Sequence, residues 1–204
     1  LQKSALILSA SLVLFSCVQE TESPIMQENA NRLEVLNTPA SGEENLRKTA
    51  ERNYFERFEN VLETREGDAS SGYAPYFPGK GVGNSTHMGK AFTFINQSFV
   101  SSEETKAAPV NMFFGAELIQ IGIFGIPDNV SSITTDGKGN SVWFEAGKNS
   151  ITFISPERLE FKAEVTIVGG TGKFAGATGT GEVTGFFNPD NGQGSSVIRG
   201  RIEY

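Results

Sequence analysis

The sequence predicts an all-β domain, a barrel or a sandwich of short antiparallel strands. Three observations carry that expectation. Leu159, Phe161, Ala163, Val165 and Ile167 alternate with Glu160, Lys162, Glu164 and Thr166, so an extended chain there has one apolar and one wet face. Short apolar runs are punctuated by glycine-bearing turn signals. The composition, 38% hydrophobic with 23 glycines in 204 residues, suits strands and turns better than helices, whose interiors glycine destabilises. A chain of this length accommodates a short leader and one domain.

Residues 1–16 read as a signal segment. Lys3 supplies a basic start, Ala5–Phe15 is an apolar run, and Ser16 is a small residue before Cys17, the layout of a secretory signal. The run is shorter than the roughly 20 apolar residues a membrane-spanning helix needs. Ser4, Ser9 and Ser11 give it no charged face for an amphipathic helix. It resembles a bacterial lipoprotein signal, in which the cysteine is acylated and becomes the new N-terminus. That resemblance makes Cys17 the lipidation site, with an ordinary cleaved signal or an uncleaved segment as alternatives. The address implied is the bacterial cell envelope, with a lipid anchor in the membrane.

Residues 17–41 hold Pro24, Pro39 and many Asn, Ser and Glu residues with little apolar periodicity. Such a segment buries too little to offset its ordering entropy and is expected to be a flexible tether. From Ser41 the pattern changes. Ser41 and Glu44 have capping-box spacing, Glu44 and Lys48 lie one turn apart, and Leu46, Tyr54, Phe55, Phe58, Val61 and Leu62 recur near helical spacing. Helix is the local expectation for residues 42–66, with Asn53–Thr64 as first barrel strand the competing one.

Residues 67–204 read as β throughout. His87–Phe99 and Asn111–Phe124 are strand-rich, and Asp136–Asn140 signals a hairpin between Ser131–Thr135 and Ser141–Phe144. After the strand Leu159–Val168, Gly169, Gly170 and Gly172 supply the turn residues of a tight reversal. Ala175–Phe187 returns with Ala175, Ala177, Gly179 and Gly181 at alternate positions, small residues that suit close approach or a narrow interior. The loop Asn188–Gly192 leads to Ser196–Tyr204, with Ile198, Gly200, Ile202 and Tyr204 facing in and Arg199, Arg201 and Glu203 facing out.

The formal charge is −7, and losing Lys3 with the leader deepens it; nucleic acid is therefore not an expected partner. One cysteine allows no disulfide framework, and one histidine allows no histidine-based metal cluster. Gly170–Ala175 carries the letters of a dinucleotide fingerprint, but the glycine- and threonine-rich sequence after it cannot form the helix that motif requires. Gly172-Lys173 is no phosphate loop, since Ile167 stands in place of the first glycine and Phe174 in place of Ser or Thr. Asp136–Asn140 has too few oxygen ligands for calcium. His87 is either a hydrogen-bonded residue at a strand start or the base of a catalytic site for which no nucleophile elbow is present. Glu117, Asp128, Asp136, Glu145 and Glu164 lie in or beside expected strands, where most charges point outward. Trp143 and the 16 phenylalanines either pack the core or line a cavity. His87, Trp143, Phe92 and Phe94 are the candidate ligand contacts; no catalytic residue, metal or cofactor is assigned.

Val165–Gly185, with its Gly-Gly-Thr-Gly-Lys-Phe-Ala-Gly core, resembles the glycine-rich hairpin of the allene oxide cyclase and dirigent-protein barrel superfamily. Within it, the likeness is closer to bacterial secreted proteins of unknown activity. Asn84–Lys90 and Thr134–Asn140 look like two further hallmarks of those proteins. The resemblance spans residues 73–204 and implies an eight-stranded antiparallel, calycin-like barrel with a central cavity. Plant members act on or orient hydrophobic small molecules, and some are homo-oligomers. The resulting expectation is a lipid-anchored, non-enzymatic barrel that binds a small hydrophobic molecule or a protein partner. Its rivals are an isomerase or cyclase using His87 or an inward Glu, and a surface structural or adhesion component.

Overall fold

A computed structural model describes residues 50–67 and 75–204; Cys17, the tether and residues 42–49 lie outside them. The described chain forms β1 (Arg52–Leu62), β2 (Gly79–Ser85), β3 (Gly89–Ile95), β4 (Gln97–Ser101), β5 (Glu104–Ala107), helix α1 (Asn111–Gln120), β6 (Ser132–Thr135), β7 (Ser141–Ala146), β8 (Lys148–Ser155), β9 (Arg158–Thr171), β10 (Thr178–Phe187) and β11 (Gln193–Glu203). Strands β1, β2, β3, β6, β7, β9, β10 and β11 pair antiparallel in that order, and β11 returns to β1 to close an eight-stranded barrel. Closure removes free edges.

At one end three wall positions change hands. The first half of β9 pairs with β8 and the second half with β7, while β5 bridges β4 and β8. Tyr76 bridges both Arg65 and Ser98 and carries the β1–β2 seam up to β4. The wall thus continues past β3, β6 and β7 as β4, β5 and β8.

Alternation decides what faces the lumen. On β9 the inward row is Leu159, Phe161, Ala163, Val165 and Ile167, opposite Phe187, Gly185, Val183, Gly181 and Gly179 of β10, as the sequence pattern predicts. Ile198 and Ile202 on β11 also face in. The hairpin at Asp136–Asn140 forms where expected. Asp136 accepts hydrogen bonds from the backbone of Lys138 and Asn140 at 2.8 and 3.2 Å and from Asn140 Nδ2 at 2.7 Å. Partial burial alone would raise its pKa, but these donors hold it below the ordinary value.

Three expectations are corrected. Residues 52–62 are a strand, not a helix: Tyr54, Glu56, Phe58 and Asn60 are buried and their odd-numbered neighbours exposed, and pairing on both sides by β2 and β11 outweighs local propensity. Asn111–Gln120 is a helix within the segment expected to be strand. Phe114 and Leu118, four residues apart, bury one face of it against Phe94, Ile133 and partly buried Trp143 and Val168 on the outside of the barrel wall. Gly169 and Gly170 lie inside β9, and the reversal runs through a 3-10 turn at Gly172–Phe174, with Gly172 at φ 61°. Gly170 matters for close approach: a Cβ there would stand 2.2 Å from the Ser141 carbonyl oxygen and 2.7 Å from that of Phe174.

The reversal gives the barrel its floor. Phe174 is fully buried among Tyr54, Val142, Phe144, Ile167, Ile198 and Ile202, and its ring lies 4.7 Å from that of Tyr204. One end of the barrel is closed by side chains; the other is not.

Candidate ligand site

Above the packed floor, β1 places Glu56 and Asn60 in the lumen on the same face as Tyr54 and Phe58. They border a cavity of about 70 Å³, whose other lining groups include Thr93, Gln97, Thr105, Asn149 and Ser196 among Phe161, Val165, Val183 and Ile198. The cavity shares Leu62, Phe77, Thr105, Ile151 and Phe187 with a recess of about 600 Å³ at the open end. That recess is walled by Phe99, Phe153 and Leu159, and by Pro189–Gly192 of the β10–β11 loop. Phe153 is 67% exposed and Phe99 38%, so large apolar rings stand in water at the mouth. The inner cavity alone is smaller than the few hundred Å³ usual for a small-molecule site; together with the recess it reaches that scale.

Glu56 is the principal electrostatic feature of the lumen. Its residue is 3% exposed. Burial pushes its pKa up to about 7, against the hydrogen bond from Tyr54 that lowers it. Tyr54 Oη donates to Glu56 Oε2 at 2.7 Å and accepts from Ser85 Oγ at 3.2 Å. Burial raises Tyr54 as well, reinforced by the Glu56 charge. Thr134 Oγ1, buried beside them, has no hydrogen bond of ordinary geometry. A carboxyl that changes protonation near neutral pH inside an apolar barrel can bind a polar ligand head or transfer a proton.

The amides of Asn60 and Asn149 are each half-satisfied. Asn60 Nδ2 donates to Ser196 Oγ at 2.8 Å and Asn149 Nδ2 to Thr105 Oγ1 at 3.2 Å. Thr105 Oγ1 in turn donates to Gln97 Oε1 at 2.6 Å. Both Asn Oδ1 atoms are buried without a partner.

None of the four residues predicted to contact a ligand lines this cavity or its mouth. His87 is exposed in the β2–β3 turn at the floor end, where its Nε2 lies 3.0 Å from the Asn53 carbonyl oxygen. Phe92 is on the outer wall, partly exposed. Phe94 packs its ring 5.3 Å from that of Phe114 on α1. Trp143 lies in the same outer cluster and donates from Nε1 to Ser141 Oγ at 2.8 Å. The strand register explains the three aromatic residues: Phe92, Phe94 and Trp143 have the opposite parity from the inward residues Thr93, Val142 and Phe144, while His87 stands in a turn.

The carboxylates that the sequence singles out are also elsewhere. Glu117 on α1 pairs with Lys80, Asp128 accepts from Asn111, Asp136 caps its hairpin, Glu145 accepts from Asn129 and Glu164 is exposed. Sequence reasoning missed Glu56, Asn60 and Asn149. Among the described residues no group of three or more His, Cys, Asp or Glu side chains could hold a metal ion, and no helix is long and apolar enough to cross a membrane. No family model matches the chain, and neither does any curated protein or solved structure.

Proposed function

We propose that the protein is a binding barrel of the bacterial envelope, lipid-anchored through Cys17, that holds a small, largely hydrophobic molecule with one polar end in its lumen. A single observation carries the ligand reading: the barrel is plugged at the Phe174 end, yet at the other end an apolar recess narrows onto a cavity with buried polar groups. Solvent-exposed Phe99 and Phe153 at the mouth fit a surface that an apolar chain would cover.

Ile151 stands in both the cavity and the recess, so enlarging it obstructs the passage between them. Ile151→Trp is expected to weaken binding of the neutral fluorescent probe N-phenyl-1-naphthylamine at least tenfold while leaving the far-UV circular dichroism unchanged. Failure of the wild-type protein to bind the probe, or equal binding by the variant, would sink the proposal. The anchor has its own check. Metabolic labelling with a palmitate analogue is expected to mark the full chain in a bacterial host, and Cys17→Ser to abolish both the label and membrane fractionation. Equal membrane association without the label would remove the anchor from the proposal.

A second reading is favoured by Glu56: an isomerase or cyclase in which this carboxyl, with a pKa near 7, gives or takes a proton. The likeness to allene oxide cyclase barrels supplies the reaction class. Under that reading Glu56→Gln keeps ligand affinity and loses turnover, whereas a plain binder shows no turnover to lose.

A further inference from the structure

The hydrogen-bond inventory of the lumen is lopsided. Thr105 Oγ1 sends its proton to Gln97 Oε1 and accepts from Asn149 Nδ2. The Asn149 carbonyl oxygen is therefore left over, in a residue 1% exposed. Asn60, 4% exposed, repeats the arrangement. Its Nδ2 goes to Ser196, and its orphan oxygen lies over Gly81, where a Cβ would stand 2.0 Å away. The missing side chain at Gly81 is what makes room for that oxygen.

The two orphan acceptors belong to opposite walls. Moving round the barrel from β1, the Asn149 strand occupies the position reached after β2, β3 with β4, and β6 with β5, half-way round the eight-stranded wall. A buried carbonyl without a donor is costly, and two of them bordering one cavity favour an occupant that brings donors. Neither the cavity nor its mouth is lined by any Lys, Arg or His; the charged residues there are Glu56, Glu63 and Asp190. An anionic head would meet two carbonyl oxygens and a carboxyl with no cation to compensate, at a desolvation cost it cannot recover. An ammonium head also brings donors, but while the Glu56 carboxyl holds its proton the cavity offers no counter-charge for the hydration such a head gives up.

Resting on the ligand reading above, we infer that the lumen selects a neutral amphiphile whose compact head carries at least two hydroxyl donors, of the monoacylglycerol type, and discriminates against fatty acids of the same chain length. The head occupies the small inner cavity between Asn60 and Asn149. The acyl chain lies outward along Phe187, Phe153 and Phe99 in the recess.

The test is displacement of bound N-phenyl-1-naphthylamine from the wild-type chain at about pH 6, below the Glu56 pKa of about 7, using monolauroylglycerol, laurate and dodecylamine below their aggregation concentrations. Monolauroylglycerol is expected to bind at least tenfold more tightly than either of the others. Asn149→Leu and Asn60→Leu, made separately, are each expected to lose about tenfold in glyceride affinity measured relative to that of the probe. Laurate binding as tightly as the glyceride overturns the inference, as does dodecylamine binding more tightly. Unchanged glyceride affinity in both Asn variants overturns it too. If the probe itself does not bind, it is the ligand reading that falls. The comparison of the three amphiphiles needs no variant to fold.

Discussion

Glu56→Gln is expected to stabilise the protein at pH 8 by on the order of 3 kcal/mol and to leave it nearly unchanged at pH 4.5. The carboxyl titrates near 4.5 in an unfolded chain and at about 7 in the barrel. Between those values the folded state holds a proton that the unfolded state has released, so wild-type stability falls as pH rises through this window and levels off above it. Glutamine is neutral throughout, and its carbonyl oxygen can accept from Tyr54 Oη as Glu56 Oε2 does. Its amide group has the unpaired Thr134 Oγ1 nearby as an acceptor.

Thermal denaturation at closely spaced pH values checks this. For a chain of this size the gain at pH 8 corresponds to roughly 6–12 °C in Tm. Asp136 does not confuse the reading. Its pKa is lowered by folding, so its contribution is present above the unfolded value and is lost only as pH falls through the lower folded one. An unchanged slope between pH 5 and 8 in the variant would mean that Glu56 ionises as an ordinary surface carboxylate. If turnover of an added ligand is found, its wild-type pH profile should carry a limb near 7.

The physics of β1 explains why this site is hard to read from sequence. A half-buried strand announces itself by apolar residues at every second position, and β9 does so plainly. On β1 the inward row is Tyr54, Glu56, Phe58, Asn60 and Leu62, so polar side chains occupy two of its positions. What remains apolar in Tyr54, Phe55, Phe58, Val61 and Leu62 fits a helical period equally well. The residues that make the lumen polar are the ones that hide the strand.

Asn149 is obscured differently, because β8 begins just after the break at Gly147 and shows only a short inward row of Asn149, Ile151 and Phe153. The aromatic candidates lie outside the lumen by parity. Phe94 and Trp143 look like lumen residues until α1 is recognised, since an outward ring on a barrel is expected to be wet unless something covers it. Strands β6, β7, β9, β10 and β11 were legible because glycine and asparagine mark the turns between them and apolar or small residues keep the alternation.

Phe144→Ala is expected to be the most damaging of the single changes, costing about 3–5 kcal/mol. Phe144 is 1% exposed, on β7 opposite Ser132 and Ile167. Its ring centroid lies 5.9 Å from that of Tyr54. Truncation removes the packing under Tyr54, and the surrounding strands, each paired on both sides, have little freedom to collapse into the gap. Chemical denaturation should show a lower midpoint with an unchanged slope, because the surface exposed on unfolding is nearly the same. The variant also tests where the dryness around Glu56 comes from. Water entering beside Tyr54 would relieve the burial that raises both groups, so the loss of stability between pH 5 and 8 should shrink along with the overall stability. A variant that is destabilised but keeps the full pH slope would show that the lumen walls above Glu56, and not the packed floor beneath it, hold its proton near neutrality. Phe144→Leu, which keeps most of the volume, should cost far less and retain the slope.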